Sequence, residues 1–264
     1  MFHIMFTTMK KILVCLVATM LLCSCSVISR IHWDPAQLAQ AASSALTAAS
    51  ITDAQVIALS QKTVEQMDAQ NTLAPDSYQK RLGKLLAGIK DIEGLPINYK
   101  VYKTNEVNAF ACGDGSIRVY SGLMDIMNDE ELMAIVGHEC GHVVHQDTKK
   151  SMRSAYLANA ARGVISATGG TVASLSKSVL GDLGEAFISS QYSQKQEYAA
   201  DEYGYKFSTE HGYSPYSMCN ALQKLVDLGG GSKASIVQKM LSSHPDSAER
   251  AKRMKEKADS ETRK

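Results

Sequence analysis

The pentad His138-Glu139-Cys140-Gly141-His142 constrains this chain more than any other stretch, because it sits inside a run of helical period. From Asp129 onward Leu132, Ile135, Val136, Cys140, Val143 and Val144 recur at three- and four-residue steps. Asn128 or Asp129 supplies the start signal, with acids in the first turn. On such a helix residues four apart leave the same face, so both imidazoles can converge on one metal ion. Glu139 lies one residue on, angled away from the ligand pair but able to reach a metal-bound water. Zinc lowers the pKa of that water, and the carboxylate takes its proton during attack on a carbonyl. Gly137 and Gly141 are costly inside a helix, so this face is expected to meet a close backbone neighbour or a crowded site. The bland alternative is a buried helix that merely carries two histidines.

A catalytic zinc site needs a third protein ligand and one open position. A His-x-x-Gly-x-x-His continuation is absent: His145 stands where glycine would be, and Thr148 where the last histidine would be. Glu197 is the strongest remaining candidate. It opens Glu197-Tyr198-Ala199-Ala200-Asp201 on a helix predicted from Gln194 to Phe207. Glu197 and Asp201 share a face, so one can bind metal while the other supports a ligating histidine. A fourth ligand at His145 would close the site, so His145 reads as a surface or packing residue.

Around this centre the pattern is α+β and mostly helical, with a small β-sheet or hairpin beside the pentad helix. Residues 35–71 are helix-compatible, with Thr52 or Asp53 as a cap, and Tyr78 to Leu86 reads as another helix. Gly94 and Pro96 close that region, so 35–96 is expected to form a helical segment packed on the core. Ile97 to Tyr102, Val107 to Ala111 and Ile117 to Tyr120 read as strands, the last two joined through Gly113-Asp114-Gly115. Residues 148–192 stay ambiguous, a helix pair around a loop or a lid, because Gly163, Gly169, Gly170, Gly181 and Gly184 interrupt them. Helices follow over Pro215–Leu228 and Ile236–Leu241 and from Asp246, fraying at 259–264.

The N-terminus reads as an address. Lys10 and Lys11 precede about a dozen apolar residues, Ile12 to Cys23, too short to span a bilayer comfortably. Met9 is the natural start, with residues 1–8 an upstream extension. Leu22-Cys23-Ser24-Cys25 resembles a bacterial lipobox, which makes 1–24 a lipoprotein signal, Cys25 the lipid-receiving cysteine and 25–34 a tether. Ser26 implies sorting to the outer membrane, with the folded part in the periplasm. Beyond Cys25 only Cys112, Cys140 and Cys219 remain. A Cys112–Cys140 disulfide suits an oxidising compartment, buried thiols suit the sequence equally, and spacing does not choose. With 28 basic against 27 acidic groups, the concentrated positive surface of a nucleic-acid protein is not expected.

Five ordered blocks carry a family resemblance: Asn108-Ala109-Phe110-Ala111, Val119-Tyr120-Ser121-Gly122-Leu123, His138 to His142, Glu197 to Asp201, and Ser243-His244-Pro245 followed by Arg250. Together they resemble the M48-family zinc metallopeptidases, most of all their Oma1-like outer-membrane lipoprotein branch. The resemblance implies a zincin-type domain over 97–258 and endopeptidase activity on exported or membrane-associated, misfolded envelope proteins. It implies one Zn²⁺ held by His138, His142 and Glu197, with Asp201 orienting a ligating histidine. His244 and Arg250 are implied to lie near the tetrahedral intermediate, and Asn108 to hold substrate backbone. Without it, His244 reads as a histidine ahead of a helix start and Arg250 as a surface charge. The sequence runs about fourteen residues past Arg250, so no tetratricopeptide domain is expected. A noncatalytic chaperone or assembly lipoprotein retaining the fold is the competing class; the intact Glu139 weighs against it.

Overall fold

The computed structural model describes residues 52–161 and 175–263. The signal, the tether, Cys25, the front segment before Thr52 and residues 162–174 lie outside them. Helix α1 (Asp53–Gln70) begins where Thr52 and Gln55 exchange side-chain and backbone hydrogen bonds in a capping box. Helix α2 (Asp76–Leu85) follows Pro75, and its Leu82 and Leu85 are buried. Between α2 and the main sheet, where the sequence shows only the break at Gly94 and Pro96, lies a hairpin, β1 (Asp91–Ile92) and β2 (Leu95–Pro96). Glu93 and Gly94 both take positive φ, which a two-residue turn of this kind requires.

Three strands form the main sheet: β3 (Asn98–Tyr102), β4 (Ala109–Ala111) and β5 (Ser116–Tyr120), in the order β3-β5-β4. β4 and β5 are antiparallel, as the Gly-Asp-Gly bend implies, while β3 runs parallel to β5. Helix α3 (Ser121–Ile126) leads to the pentad helix α4 (Asp129–Val144), capped by Asn128 with Glu131. After it come α5 (Asp147–Ala161), α6 (Lys177–Ile188), α7 (Gln194–Glu210), α8 (Ser217–Gly229), α9 (Ala234–Ser243) and α10 (Ser247–Glu261).

Side chains alternate across the sheet and so feed two cores. Val101, Ala109, Ala111, Ile117 and Val119 join a cluster with Leu82, Leu132, Ile135, Val136, Cys140 and Leu225, from α2, α4 and α8. Tyr102, Phe110, Cys112 and Tyr120 join another with Val56, Leu59, Met152, Leu183 and Phe187, from α1, α5 and α6. The sheet is thus a middle layer between two helical layers. This separation overturns the candidate disulfide. Cys112 and Cys140 are both buried and free, because the two-residue period sends Cys112 into one cluster and the helix places Cys140 in the other.

α1 is tied to the sheet by a buried ionic contact. Arg118 of β5, 2% exposed, donates from Nε and Nη2 to Asp68 of α1 at 2.8 and 3.0 Å. The Tyr102 hydroxyl donates to the same carboxylate at 2.6 Å. At the other end, α10 stays helical to Glu261, beyond the expected fraying point. Tyr205 and Tyr216 hydroxyls donate to Glu261 and Asp259 there, at 2.7 and 3.0 Å.

The tightest helix contact is α4 on α7. A Cβ on Gly137 would lie 2.7 Å from the Phe207 ring, and one on Gly141 would lie 3.0 Å from the Ala200 Cα. From the other side, a Cβ on Gly204 would meet the Ala134 carbonyl and the His138 amide at 2.7 Å. The glycines that cost the helix stability let the two backbones touch. Among the described residues no helix is long and apolar enough to cross a membrane.

Candidate metal centre

The α4–α7 contact fixes the distance between the pentad and the second acidic motif. His138 and His142 project from one face of α4, and Glu197 and Asp201 from the facing side of α7, four residues apart in each case. His244, at the C-cap of α9, closes the group. Ligand-capable atoms of His138, His142, Glu197 and His244 all lie within 4.8 Å of one another, and all four residues are buried. His145 ends α4 on the exposed side, outside the group, as read from the sequence.

Hydrogen bonds decide which nitrogens face inward. His138 Nδ1 lies 2.9 Å from Asp201 Oδ1, and His142 Nδ1 lies 3.3 Å from Asp147 Oδ2. A carboxylate only accepts, so each Nδ1 carries a proton, and in the neutral ring each Nε2 keeps its lone pair. Those two Nε2 atoms are 3.1 Å apart, and His142 Nε2 is 3.3 Å from Glu197 Oε1. Two lone pairs and a carboxylate at such distances repel unless a cation, a proton on His142 Nε2 or a metal ion, lies among them. The donor set, two imidazoles and one carboxylate in a buried group, fits a metal ion.

The electrostatics agree. Burial pushes His138 down to about 4, so it is neutral at physiological pH. His142 moves up: burial lowers it, but the bonds to Asp147 and Glu197 outweigh that, and a bound cation would displace the proton. Burial alone would raise Glu197, yet the nearby His244, His142 and His138 hold it far below the ordinary carboxylate range. Glu139 behaves differently. It is 1% exposed, its Oε1 has no hydrogen-bond partner, and burial raises it to about 7. His244 Nε2 is the nearest basic atom, 3.7 Å from Glu139 Oε1. One carboxyl is kept charged and the other is poised near neutrality, a pairing suited to one ligand and one proton acceptor.

Arg250 is buried and not a surface charge. It donates to both Asp201 oxygens, Nε to Oδ2 at 2.8 Å and Nη2 to Oδ1 at 2.7 Å, while Nη1 contacts Glu197 Oε2. Burial would raise Asp201, but these bonds hold it at about 2. The guanidinium also reaches the His244 and Pro245 carbonyls, so its donors are spent on the residues around the metal group. Asn108, buried just ahead of β4, accepts the Tyr120 amide at its carbonyl and leaves its Nδ2 without a partner. Two site residues escaped the sequence reading: Asp147, five positions past His142, and Tyr192, whose ring stacks on His142.

Residues 75–258, which hold every side chain just described, match Peptidase family M48. The chain belongs to that family. This M48 peptidase is a metalloendopeptidase, and its buried His/Glu group supplies the place for the metal on which the family depends. It is 43% identical over 229 residues to Metalloprotease LoiP of Escherichia coli (strain K12), covering 86% of this chain and 89% of that one. It is 40% identical over 216 residues to Metalloprotease YcaL of the same organism, covering 81% and 84%. More distantly it is 27% identical over 177 residues to Mitochondrial metalloendopeptidase OMA1 of Arabidopsis thaliana, covering 66% and 34%.

Proposed function

We propose that the chain is a zinc endopeptidase of the bacterial envelope, anchored by lipid on Cys25 to the outer membrane with its catalytic domain in the periplasm. The observation that carries the metal reading is the 3.1 Å approach of two Nε2 lone pairs whose Nδ1 partners are both carboxylates. His138, His142 and Glu197 would hold Zn²⁺. Bound there, zinc would supply a Lewis acid for the scissile carbonyl and for water. Glu139 takes the proton of the attacking water on its unpartnered Oε1 and returns it to the leaving amine. His244, beside both Glu139 and Glu197, donates toward the developing oxyanion. Asn108 offers its free Nδ2 to the substrate backbone. Arg250 keeps Asp201 and Glu197 in place, beside the region where the resemblance implies the intermediate forms.

The envelope assignment rests on the basic start, the short apolar run and the lipobox-like Leu22 to Cys25. Exported or membrane-anchored polypeptides, misfolded ones above all, are the substrates such an enzyme meets. A denatured envelope protein incubated with the mature chain is expected to give defined internal fragments, which a chelator abolishes and added zinc restores. Zinc-independent retention of the unfolded protein, without fragments, would favour the noncatalytic alternative. Intact-mass measurement of membrane-extracted protein is expected to show a chain starting at Cys25 with acyl mass; an unlipidated start elsewhere would end the anchor reading.

A further inference from the structure

The two metal-facing histidines are not held alike. His138 has a short bond, 2.9 Å, to an aspartate that is itself clamped by two bonds from Arg250. His142 has only a long one, 3.3 Å, to an Asp147 shared with Lys150 and Gln196. What His142 has instead is a flat aromatic neighbour. The Tyr192 ring lies 3.8 Å from the His142 ring, centroid to centroid, with 13° between the planes.

We infer that Tyr192 is the positioning residue for His142, fixing the plane of the imidazole and so the direction of its Nε2 lone pair. Tyr192 is itself fixed at both ends. Its amide donates to the Ser243 carbonyl at 3.1 Å, and its hydroxyl lies beside Ser151 of α5. It is 8% exposed, and its ring also lies 5.3 Å from that of His244. The residues just after it continue the same task. Ser193 caps α7 with Gln196, and the Gln196 amide donates to Asp147 at 2.8 Å. The chain from Tyr192 to Gln196 thus holds the face of the His142 ring directly and its Nδ1 partner indirectly, immediately before Glu197. A ring pressed against a face cannot turn about its Cβ–Cγ bond without losing that contact, whereas a single long hydrogen bond tolerates such turning.

This inference rests on the metal reading, and the experiment separates the two. Zinc affinity of the full chain is measured by competition with a chromophoric chelator, beside the visible spectrum of the cobalt-substituted protein and the melting temperature of the metal-free one. Tyr192→Leu, and Tyr192→Met as a flexible filler should leucine unfold the chain, are expected to bind zinc about 10- to 100-fold more weakly, the scale of lost support around a ligand. Their cobalt spectra are expected to shift. Tyr192→Phe keeps the ring and loses only the hydroxyl, so parent-like affinity and spectrum are expected. Parent-like zinc affinity in folded Tyr192→Leu or Tyr192→Met, with His142→Ala failing to load, would reduce Tyr192 to a core residue and overturn the inference. Normal loading of His142→Ala would overturn the metal assignment on which it stands.

Discussion

Replacing Glu139 by glutamine is expected to stabilise the metal-free fold while it destroys activity, and the size of the gain depends on pH in a defined way. Glu139 is 1% exposed, and its Oε1 has no hydrogen-bond partner. Burial raises its pKa from the usual 4.5 to about 7. Between those values the folded state binds the proton more tightly than the unfolded state, so stability falls as pH rises through that window. Above pH 7 the folded protein carries the full cost of the buried charge, about 3 kcal/mol at 1.36 kcal/mol per unit. Glutamine has nearly the same shape and never ionises. The metal-free Glu139→Gln protein is therefore expected to be more stable by about 3 kcal/mol at pH 8 but only by about 1 kcal/mol at pH 5. For a domain of this size that is roughly 6–12 °C in melting temperature at the higher pH. Thermal unfolding of chelated protein and variant across pH 5 to 8 measures it. A difference that does not change with pH, or a variant less stable at pH 8, would refute the argument that Glu139 is a desolvated, poised carboxyl.

Three further outcomes follow from the packing. Gly204→Ala is expected to cost about 1–3 kcal/mol and to lower metal content, because its Cβ would press on the Ala134 carbonyl and the His138 amide; denaturant titration and metal analysis check it. Arg250→Met is expected to cost about 3–5 kcal/mol, read by the same titration, since it leaves Asp201 and Glu197 buried without their cation. Asp147→Ala is expected to weaken zinc binding about 10- to 100-fold while leaving His138 and its Asp201 contact intact, measured by chelator competition.

The parts of the site that were legible in the sequence are those set by spacing within one helix. His138 with His142, and Glu197 with Asp201, are four apart, so their shared faces needed no tertiary information. The crowding implied by Gly137 and Gly141 was legible too, because only a close neighbour justifies two glycines in a buried helix. Asp147 was not legible. It reaches His142 across the break between α4 and α5, where Gln146 takes a positive φ of 61° that no periodicity announces. Arg118 was passed over inside a strand since its partner Asp68 lies fifty residues upstream, on a helix brought near only by folding. Cys112 and Cys140 show the limit of counting cysteines: compartment allowed a bridge, and the alternation of β4 placed the two thiols in different cores. The helices within 148–192 were obscured by Gly181 and Gly184, and Gly184 lies where a Cβ would press on Met67 of α1 at 3.0 Å.

The central claim is that Glu139 and Glu197, both buried beside the same histidines, do different work. Glu139→Gln and Glu197→Gln, each scored for bound zinc and for cleavage of a denatured protein, test it most directly. The expected result is a Glu139→Gln protein with one zinc per chain and a rate lower by roughly 10²–10⁴-fold, beside a Glu197→Gln protein that has lost both metal and activity. Full zinc and full cleavage in Glu197→Gln, or undiminished cleavage in Glu139→Gln, would contradict it.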